Sequence, residues 1–382
     1  MNFDLTEDQR SIRDLAREFA TDEVAPEAEK YDREKAFPYP IVARLAELGF
    51  LGIPIPEGYG GIGADTLSYV LAVEELSRAD ASVGITVAAH TSLGTMPFLL
   101  FGTDAQKQEY VPRLAGGEML WAFGLTEPQA GSDAGATRTR AELQDGTWVI
   151  NGTKSFITNS GTRISGGVTI TAVTGRTADG RNEISNIIVP TGTTGYAIAK
   201  DYDKMGWRAS DTHELAFSDA RVPEGNVLGI RGEGFHQFLQ ILDGGRISVA
   251  ALSVGLAQAC YDASAGYARE RVQFGKPIAE FEAIRFMLAE MATEIELART
   301  MTYKAAWLKD QGRDFRLAAA MAKLNAGEVA TRCANRAVQI HGGYGIMEEF
   351  PVARYWRDTK IGEIGEGTNQ IQMLVISRLL GV

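Results

Sequence analysis

The alternation of polar and apolar positions becomes regular at Thr6-Glu-Asp-Gln9, a hydroxyl residue followed three positions later by Gln, which is the spacing of a capping box. Ile12, Leu15 and Phe19 then recur at intervals of three and four, so the spacing predicts a helix that starts almost at once. Further helical periods fall around 38–49, 66–78, 81–100 and 104–114, which makes the first third all-helical. From Trp121 the pattern shortens to β-rich runs, Trp148-Val-Ile, Ser155-Phe-Ile-Thr, Val168-Thr-Ile-Thr-Ala-Val and Ile187-Ile-Val, with glycine- and asparagine-rich turns between them. This β domain is expected to end near Gly229. Beyond it the helical period returns: Ile284, Met287, Met291, Ile295 and Ala298 mark one face of a long helix, and 316–340 and 368–380 supply others. Long helices bounded by Gly and Pro predict an antiparallel bundle. The pattern as a whole is that of an α+β chain in three parts: an N-terminal all-helical domain (1–120), a central β domain (121–230) and a C-terminal helical bundle (231–382). No repeat, low-complexity segment or disordered linker interrupts it.

Length agrees with that division, because 382 residues are too many for one ordinary core and call for two or three subdomains. The longest apolar run, Ile247 to Cys260, is broken by serines and a glycine and falls short of the roughly 20 residues a bilayer span needs, so no transmembrane helix is expected. The first residues, Met-Asn-Phe-Asp-Leu-Thr-Glu-Asp, have neither a signal-peptide nor a transit-peptide plan, and a cytoplasmic, prokaryotic protein is the simplest reading. Cys260 and Cys333 sit inside helical apolar patterns and read as buried thiols. His90, His213, His236 and His341 form no i, i+4 pair, which argues against a metal site and for structural histidines. A net charge of −11 disfavours general nucleic-acid binding, although a local Arg/Lys patch could still hold an anionic ligand.

One glycine motif is discarded. Gly58-Tyr-Gly60-Gly-Ile-Gly63 spells a dinucleotide fingerprint, with Glu74, Glu75 and Asp80 near the acidic position, but Pro54 and Pro56 break the strand that the fingerprint requires. A loop between helices is expected there.

Two other segments carry chemistry. Phe123-Gly-Leu-Thr-Glu-Pro-Gln-Ala-Gly-Ser132 joins a strand end to a small-residue turn, which is either a plain β-turn or a set of N–H and hydroxyl groups able to grip a polar ring edge. Gln339-Ile-His-Gly-Gly-Tyr-Gly and Glu363-Ile-Gly-Glu-Gly-Thr-Asn-Gln370 place a carboxylate, Glu366, between two glycines with a hydroxyl and an amide just downstream. That is the setting of a base at a backbone-mediated site, or of a glutamate capping the next helix. Together these segments closely resemble the acyl-CoA dehydrogenase family, flavoenzymes that desaturate acyl thioesters, and the resemblance runs from Leu5 to Ile376.

The resemblance implies the same three-part plan, with a central β-barrel or sandwich and a C-terminal antiparallel four-helix bundle, and with FAD and substrate where the β domain meets the bundle. It places the flavin pyrimidine edge on Leu125 and Thr126 beside Phe123 and Gly131, Ser132 near the cofactor phosphates or the bound CoA, and Phe156-Ile157-Thr158 against the ring. Many members have Trp where this chain has Phe156; the bland reading is an edge aromatic plugged into the β core. Arg271 is implied as a clamp on the FAD pyrophosphate and Phe274 as packing on its adenosine side, with the Gln339, Gly342 and Gly343 turn, all divided between neighbouring subunits of an oligomer, usually a tetramer. An arginine at a helix C-terminus is the plainer account of Arg271. Thr368 and Gln370 fit FAD-contacting positions. Asp243-Gly-Gly-Arg246 resembles the segment that meets CoA, with Gly367 also at the substrate; Arg208 is a phosphate contact or, equally, a solvated arginine. Two departures stand out. Glu282 replaces the usual Gln facing FAD, and either turns away to a partner such as Arg285 or loosens the cofactor; Gly365 replaces the usual Tyr before the base. Some members carry the glutamate on the bundle helix just before the substrate arginine, where this chain has Gly245.

Desaturation next to a thioester needs a base for a weakly acidic α-proton, a hydride acceptor over the β-carbon and donors to the thioester oxygen. A carboxylate in a water-excluded pocket suits the first task, since burial raises its pKa toward the working pH. Glu366 is the candidate; Glu363 lacks the flanking glycines. The expected reaction is α-proton removal by Glu366, hydride transfer to flavin N5 and release of a trans-2-enoyl-CoA, with electron-transfer flavoprotein as electron acceptor. The Asp-Gly-Gly-Arg segment looks more like short-chain members of the family, a resemblance that implies short or branched acyl chains. An acyl-CoA oxidase, usually much longer, a nucleic-acid-binding relative of the same fold, and a catalytically dead acyl-CoA-binding scaffold are the competing readings.

Overall fold

The computed structural model describes residues 4–382; residues 1–3, where the expected N-terminal domain and the leader reading begin, lie outside the described residues. The helices of the first part are α1 (Glu7–Phe19), α2 (Ala25–Glu34), α3 (Tyr39–Glu47), α4 (Thr66–Ala79), α5 (Ala81–Ala88), α6 (Met96–Phe101) and α7 (Asp104–Ala115). The capping box holds: the Thr6 hydroxyl accepts from Gln9 N, and the Gln9 side chain accepts from Thr6 N. Phe19 is buried behind it and Ile12 packs on the core, whereas Leu15, expected on the same face, is 42% exposed. The helical stretch expected at 81–100 is continuous but not uniform, passing through a wide π-turn at Ala89–Thr95 just before Pro97, which has no N–H to continue the regular ladder.

The β strands are β1 (Leu120–Gly124), β2 (Arg140–Gln144), β3 (Thr147–Thr158), β4 (Ser165–Arg176), β5 (Asn182–Pro190), β6 (Tyr196–Asp201), β7 (Thr212–Pro223) and β8 (Val227–Leu228). They form one connected mixed sheet in the order β6-β7-β3-β2-β4-β5-β8, with β1 parallel on β4. The runs expected as two strands around Trp148 and Phe156 are one strand. Asn151-Gly152 is a bulge rather than a turn, because Asn151 exchanges hydrogen bonds with Asp219 of β7 at 2.9 Å in each direction.

Five helices follow: α8 (Gly234–Glu270), α9 (Glu282–Asp310), α10 (Arg316–His341), α11 (Pro351–Gly362) and α12 (Asn369–Leu380). A small hairpin, β9 (Val272–Gln273) and β10 (Lys276–Pro277), separates α8 from α9. α10 packs against the other four, so the expected four-helix bundle carries an extra short helix. On α9, Met291, Ile295 and Ala298 are buried, while Ile284 and Met287 pack at the margin of the core. One hydrophobic core runs from the first helices into this bundle, joining Ala16, Leu45 and Val73 to Leu252, Ile295 and Ala330. The sheet has a separate core around Trp148, Ile170 and Leu215. Two continuous helical runs, Ala81–Phe101 and Gly234–Glu270, are long and apolar enough to cross a membrane, contrary to the expectation from sequence, but their apolar windows are 78% and 72% buried within the fold.

A polar knot ties the three parts together. Arg357 of α11 grips Asp32 of α2 with both terminal nitrogens and donates to Met205 O at 3.1 Å, while its neighbour Asp358 accepts from Trp207 N at 2.7 Å.

Candidate active site

Glu366 lies between α11 and α12 with φ +52°, and Gly367 follows at φ +93°. Two left-handed residues in succession turn the side chain inward; for a non-glycine residue this costs about 1–2 kcal/mol, which the surrounding structure must hold. Both carboxylate oxygens are shut off from solvent and neither has a hydrogen-bond partner, although the residue as a whole is only half-buried. Facing it are Arg246 of α8 and Lys323 of α10. Burial pushes Glu366 up to about 7, against the opposing pull of Lys323 and then Arg246. α8 makes room for the carboxylate at Gly245, where a Cβ would overlap Oε2 and lie 3.1 Å from Cδ. Asp243 and Arg246 are paired at 2.5 Å, and Arg246 is only 4% exposed, so its guanidinium belongs to the buried surroundings of Glu366. Glu363 has the opposite character: it accepts from Thr331 at 2.6 Å and Lys360 at 2.5 Å, and although burial works to raise it, these partners hold it below the usual carboxylate range. Thr368 caps α12 by accepting from Ile371 N, and Gln370 on the same first turn is exposed.

The loop after β1 is organised by a buried ion pair that sequence reasoning missed. Lys154 of β3, 0% exposed, donates to Glu127 Oε1 at 2.8 Å and to Leu125 O at 3.1 Å. Glu127 also accepts from the Thr137 hydroxyl and from Arg138 N and Thr139 N, which folds the 128–136 segment back over it. Burial works to raise Glu127, but Lys154 and these donors more than offset it and hold the group low. Leu125 and Thr126 are therefore fixed at the backbone, with Thr126 O accepting from Ser155 N at 2.8 Å, while Gly131 and Ser132 stand exposed. Phe123 stacks on Phe238 of α8 at 5.7 Å, placing this loop at the sheet–bundle junction. Phe156 is not plugged into the sheet: it has φ +62°, is 63% exposed and sets its ring 4.8 Å from that of Tyr202. Ile157 is the buried residue of that trio, and Thr158 is half-buried at the strand end. An outward aromatic held by a left-handed backbone beside an anchored loop fits a stacked planar ring.

A second cluster forms at the other end of α8. Arg271 and Gly343 line a cavity of about 480 Å³ with Tyr267, Ile340, His341 and Tyr344, and the Arg271 guanidinium lies 5.7 Å from the Tyr344 ring. Gln339 and Gly342 are exposed on the adjoining turn, and Phe274, at the hairpin tip with φ +51°, is 94% exposed. Phe238 and Arg271 are about 50 Å apart along α8 at about 1.5 Å per residue. One chain therefore brings Phe123–Ser132 and Phe156–Thr158 together, and Arg271, Phe274 and Gln339–Gly343 together, but not the two groups with each other. Glu282 is exposed in the first turn of α9, where the helix dipole favours an acid; Arg285 donates instead to Ala279 O and Glu280 O. Arg208 is half-buried, 3.8 Å from Asp32. Gly58–Gly63 is the expected loop between helices, with no strand before it.

An unpartnered, solvent-shielded carboxylate at Gly245 of α8, with an anchored loop packed on the same helix at Phe238, suits a site that draws a proton from a weak carbon acid next to a planar cofactor. Family profiles agree in sequence order: the N-terminal domain of acyl-CoA dehydrogenase matches residues 6–118, the middle domain 122–220 and the C-terminal domain 232–381. The chain belongs to the acyl-CoA dehydrogenase family, oxidoreductases acting on CH–CH bonds. It is 54% identical over 380 residues, 100% of both chains, to the probable acyl-CoA dehydrogenase YngJ of Bacillus subtilis. Butyryl-CoA dehydrogenase of Megasphaera elsdenii superposes with a TM-score of 0.97 at 44% identity, covering 100% of each chain. An acyl-CoA dehydrogenase of Bacillus anthracis, solved as a complex with FAD, superposes with a TM-score of 0.92 at 34% identity over 99% of this chain and 67% of that one.

Proposed function

We propose that the protein oxidises an acyl-CoA thioester between Cα and Cβ to a trans-2-enoyl-CoA, with Glu366 as the α-proton base and electron-transfer flavoprotein as electron acceptor. The observation that carries this reading is the Glu366 carboxylate, buried, without a hydrogen-bond donor, and with a proton affinity raised to the working range. Bound FAD supplies the hydride acceptor. Leu125, Thr126, Gly131, Ser132, Phe156 and Thr158 are the residues of this chain suited to hold its ring end. The 123–158 cluster and Glu366 both adjoin the first half of α8, through Phe238 and Gly245, so that helix fixes the spacing between proton and hydride transfer. The Glu366 backbone N–H is suited to the thioester oxygen, a donor worth roughly 3–4 kcal/mol at the transition state in comparable sites.

The distance along α8 supports an oligomer. Arg271, Phe274 and the Gln339–Gly343 turn lie too far from Phe156 to serve the same cofactor within one chain, so they serve the cofactor of a neighbouring copy, and a tetramer satisfies that sharing for every protomer. Short or branched acyl chains are the expected substrates from the resemblance of Asp243-Gly-Gly-Arg246 to short-chain members. A bacterial source, in line with the similarity to the Bacillus protein, and a cytoplasmic location complete the reading.

The test is direct. The purified protein should be yellow, and anaerobic acyl-CoA should bleach it; a panel of chain lengths and branches with an artificial acceptor should peak at a short or branched chain. A colourless protein indifferent to added FAD would refute the proposal.

A further inference from the structure

Lys323 is fully buried in α10, 0% exposed. Its ammonium donates to Gly367 O at 2.7 Å and lies 3.4 Å from Asn369 Oδ1. Those acceptors lie at and just past the left-handed Glu366–Gly367 turn, and Gln372 also donates to the Gly367 carbonyl at 3.0 Å. Two oxygen acceptors of this kind need only a neutral donor. A buried ammonium is costly to desolvate, so its charge needs a partner. Every other ion near it is already engaged: Arg246 by Asp243 at 2.5 Å, and Glu363 by Lys360 at 2.5 Å. The Glu366 carboxylate, which has no hydrogen-bond donor of its own, is the anion left to face it.

We propose that Lys323 is a positioning residue for the base, gripping the Gly367 carbonyl to hold the inward turn of Glu366 and supplying the positive charge that keeps its carboxylate ionised in a pocket without donors. The inference rests on Glu366 being the base. Several charges bear on it: Lys323 is driven down to about 8 by burial, drawn back by Glu366 and Glu363, and pushed further down by Arg246. Among the groups that oppose the burial of Glu366, Lys323 has the largest effect, ahead of Arg246, and the buried Tyr69 phenol of α4 also feels the Glu366 charge. The two groups titrate as a pair, so the rate profile reports their joint behaviour.

Lys323→Gln and Lys323→Met separate the tether from the charge. With the flavin-loaded enzyme, the acid limb of the anaerobic bleaching rate should move up by about one pH unit or more in both variants, since losing a nearby cation leaves the proton more tightly held. Below the limb the rate should fall on the order of tenfold at fixed pH, while KM for the acyl-CoA changes little. Lys323→Gln, which keeps a donor for Gly367 O, should retain more of the plateau rate at high pH than Lys323→Met. An unmoved acid limb in a folded, flavin-retaining Lys323→Gln would overturn the proposal. Failure of both variants to fold would also overturn it, leaving Lys323 a packing residue of the bundle. Near-normal bleaching by Glu366→Gln is a separate failure, of the base assignment itself.

Discussion

The convergence of Gly245 and Glu366 on one volume makes the backbone origin of the base open to exchange. A Cβ placed on Gly245 would lie 3.1 Å from Glu366 Cδ. In a glutamate Cδ is about 2.5 Å from Cβ, across two C–C bonds, so a carboxylate carried by α8 can reach within roughly an ångström of the present one. Glu366→Gln removes the base and should slow anaerobic flavin bleaching by at least about 10³-fold, within the range for general-base catalysis. A misplacement of about 1 Å costs on the order of 10²-fold, so Glu366→Gly combined with Gly245→Glu should recover about tenfold of that loss. The double variant should also gain stability: glycine at 366 relieves a left-handed glutamate worth about 1–2 kcal/mol, and glutamate inside α8 replaces a glycine that costs roughly 0.5–1 kcal/mol. Stopped-flow bleaching and a melting curve read the two effects separately. A double variant no faster than Glu366→Gln, yet folded and carrying flavin, would show that the two backbone positions do not reach a common α-carbon.

Bleaching in the natural enzyme should weaken as pH falls through about 7, where burial places the Glu366 proton affinity; a flat profile from pH 6 to 8 would contradict it. The same group ties stability to pH: released near 4.5 when unfolded and near 7 when folded, its proton makes stability fall as pH rises through that window, by on the order of 3 kcal/mol. Glu366→Gln should lack that loss in denaturant titrations at pH 5 and pH 8. Arg271→Ala should weaken FAD retention on dilution by on the order of 2–5 kcal/mol while sparing acyl-CoA binding, and Glu282→Gln should leave retention unchanged, because that carboxylate points to solvent at a helix start. Lys154→Met leaves Glu127 charged and buried, so it should cost about 3–5 kcal/mol of stability and release flavin; retention at the natural level would remove Lys154 from the organisation of the loop.

Features written in neighbouring residues were legible before any coordinates. The capping box at Thr6 is local, and it forms as its spacing implies. Features decided by distant partners were not. The break expected between the Trp148 and Ser155 runs is bridged at Asn151, which pairs with Asp219 of β7. Leu15 has the right helical spacing yet stays 42% exposed. α2, charged along most of its length, offers no apolar stripe from which to infer a helix. Lys154 and Lys323 are the instructive omissions. A lysine is read as solvated unless its pattern denies it, and here each had a local hint, Lys154 within an alternating strand and Lys323 on the Ala319, Ala326 and Ala330 stripe of α10, while the oxygens that justify burial lie 27 and 44 residues away in sequence.

The knot at Asp32, Arg357 and Asp358 sets a rule for anyone recombining this chain with its relatives. A side chain on Gly206 would press within 2.6 Å of Arg357 O and 2.8 Å of Asp358 Oδ1, so a transplanted central segment must arrive with a glycine there and with the backbone N–H of residue 207 aimed at the acid. Exchange points placed in the linkers on either side of the sheet look innocuous along the sequence, yet they cut through a contact to which all three segments contribute. Chimeras that move residues 205–207 together with 32 and 357–358 keep the seam intact, and those that split the set inherit a buried carboxylate with no donor.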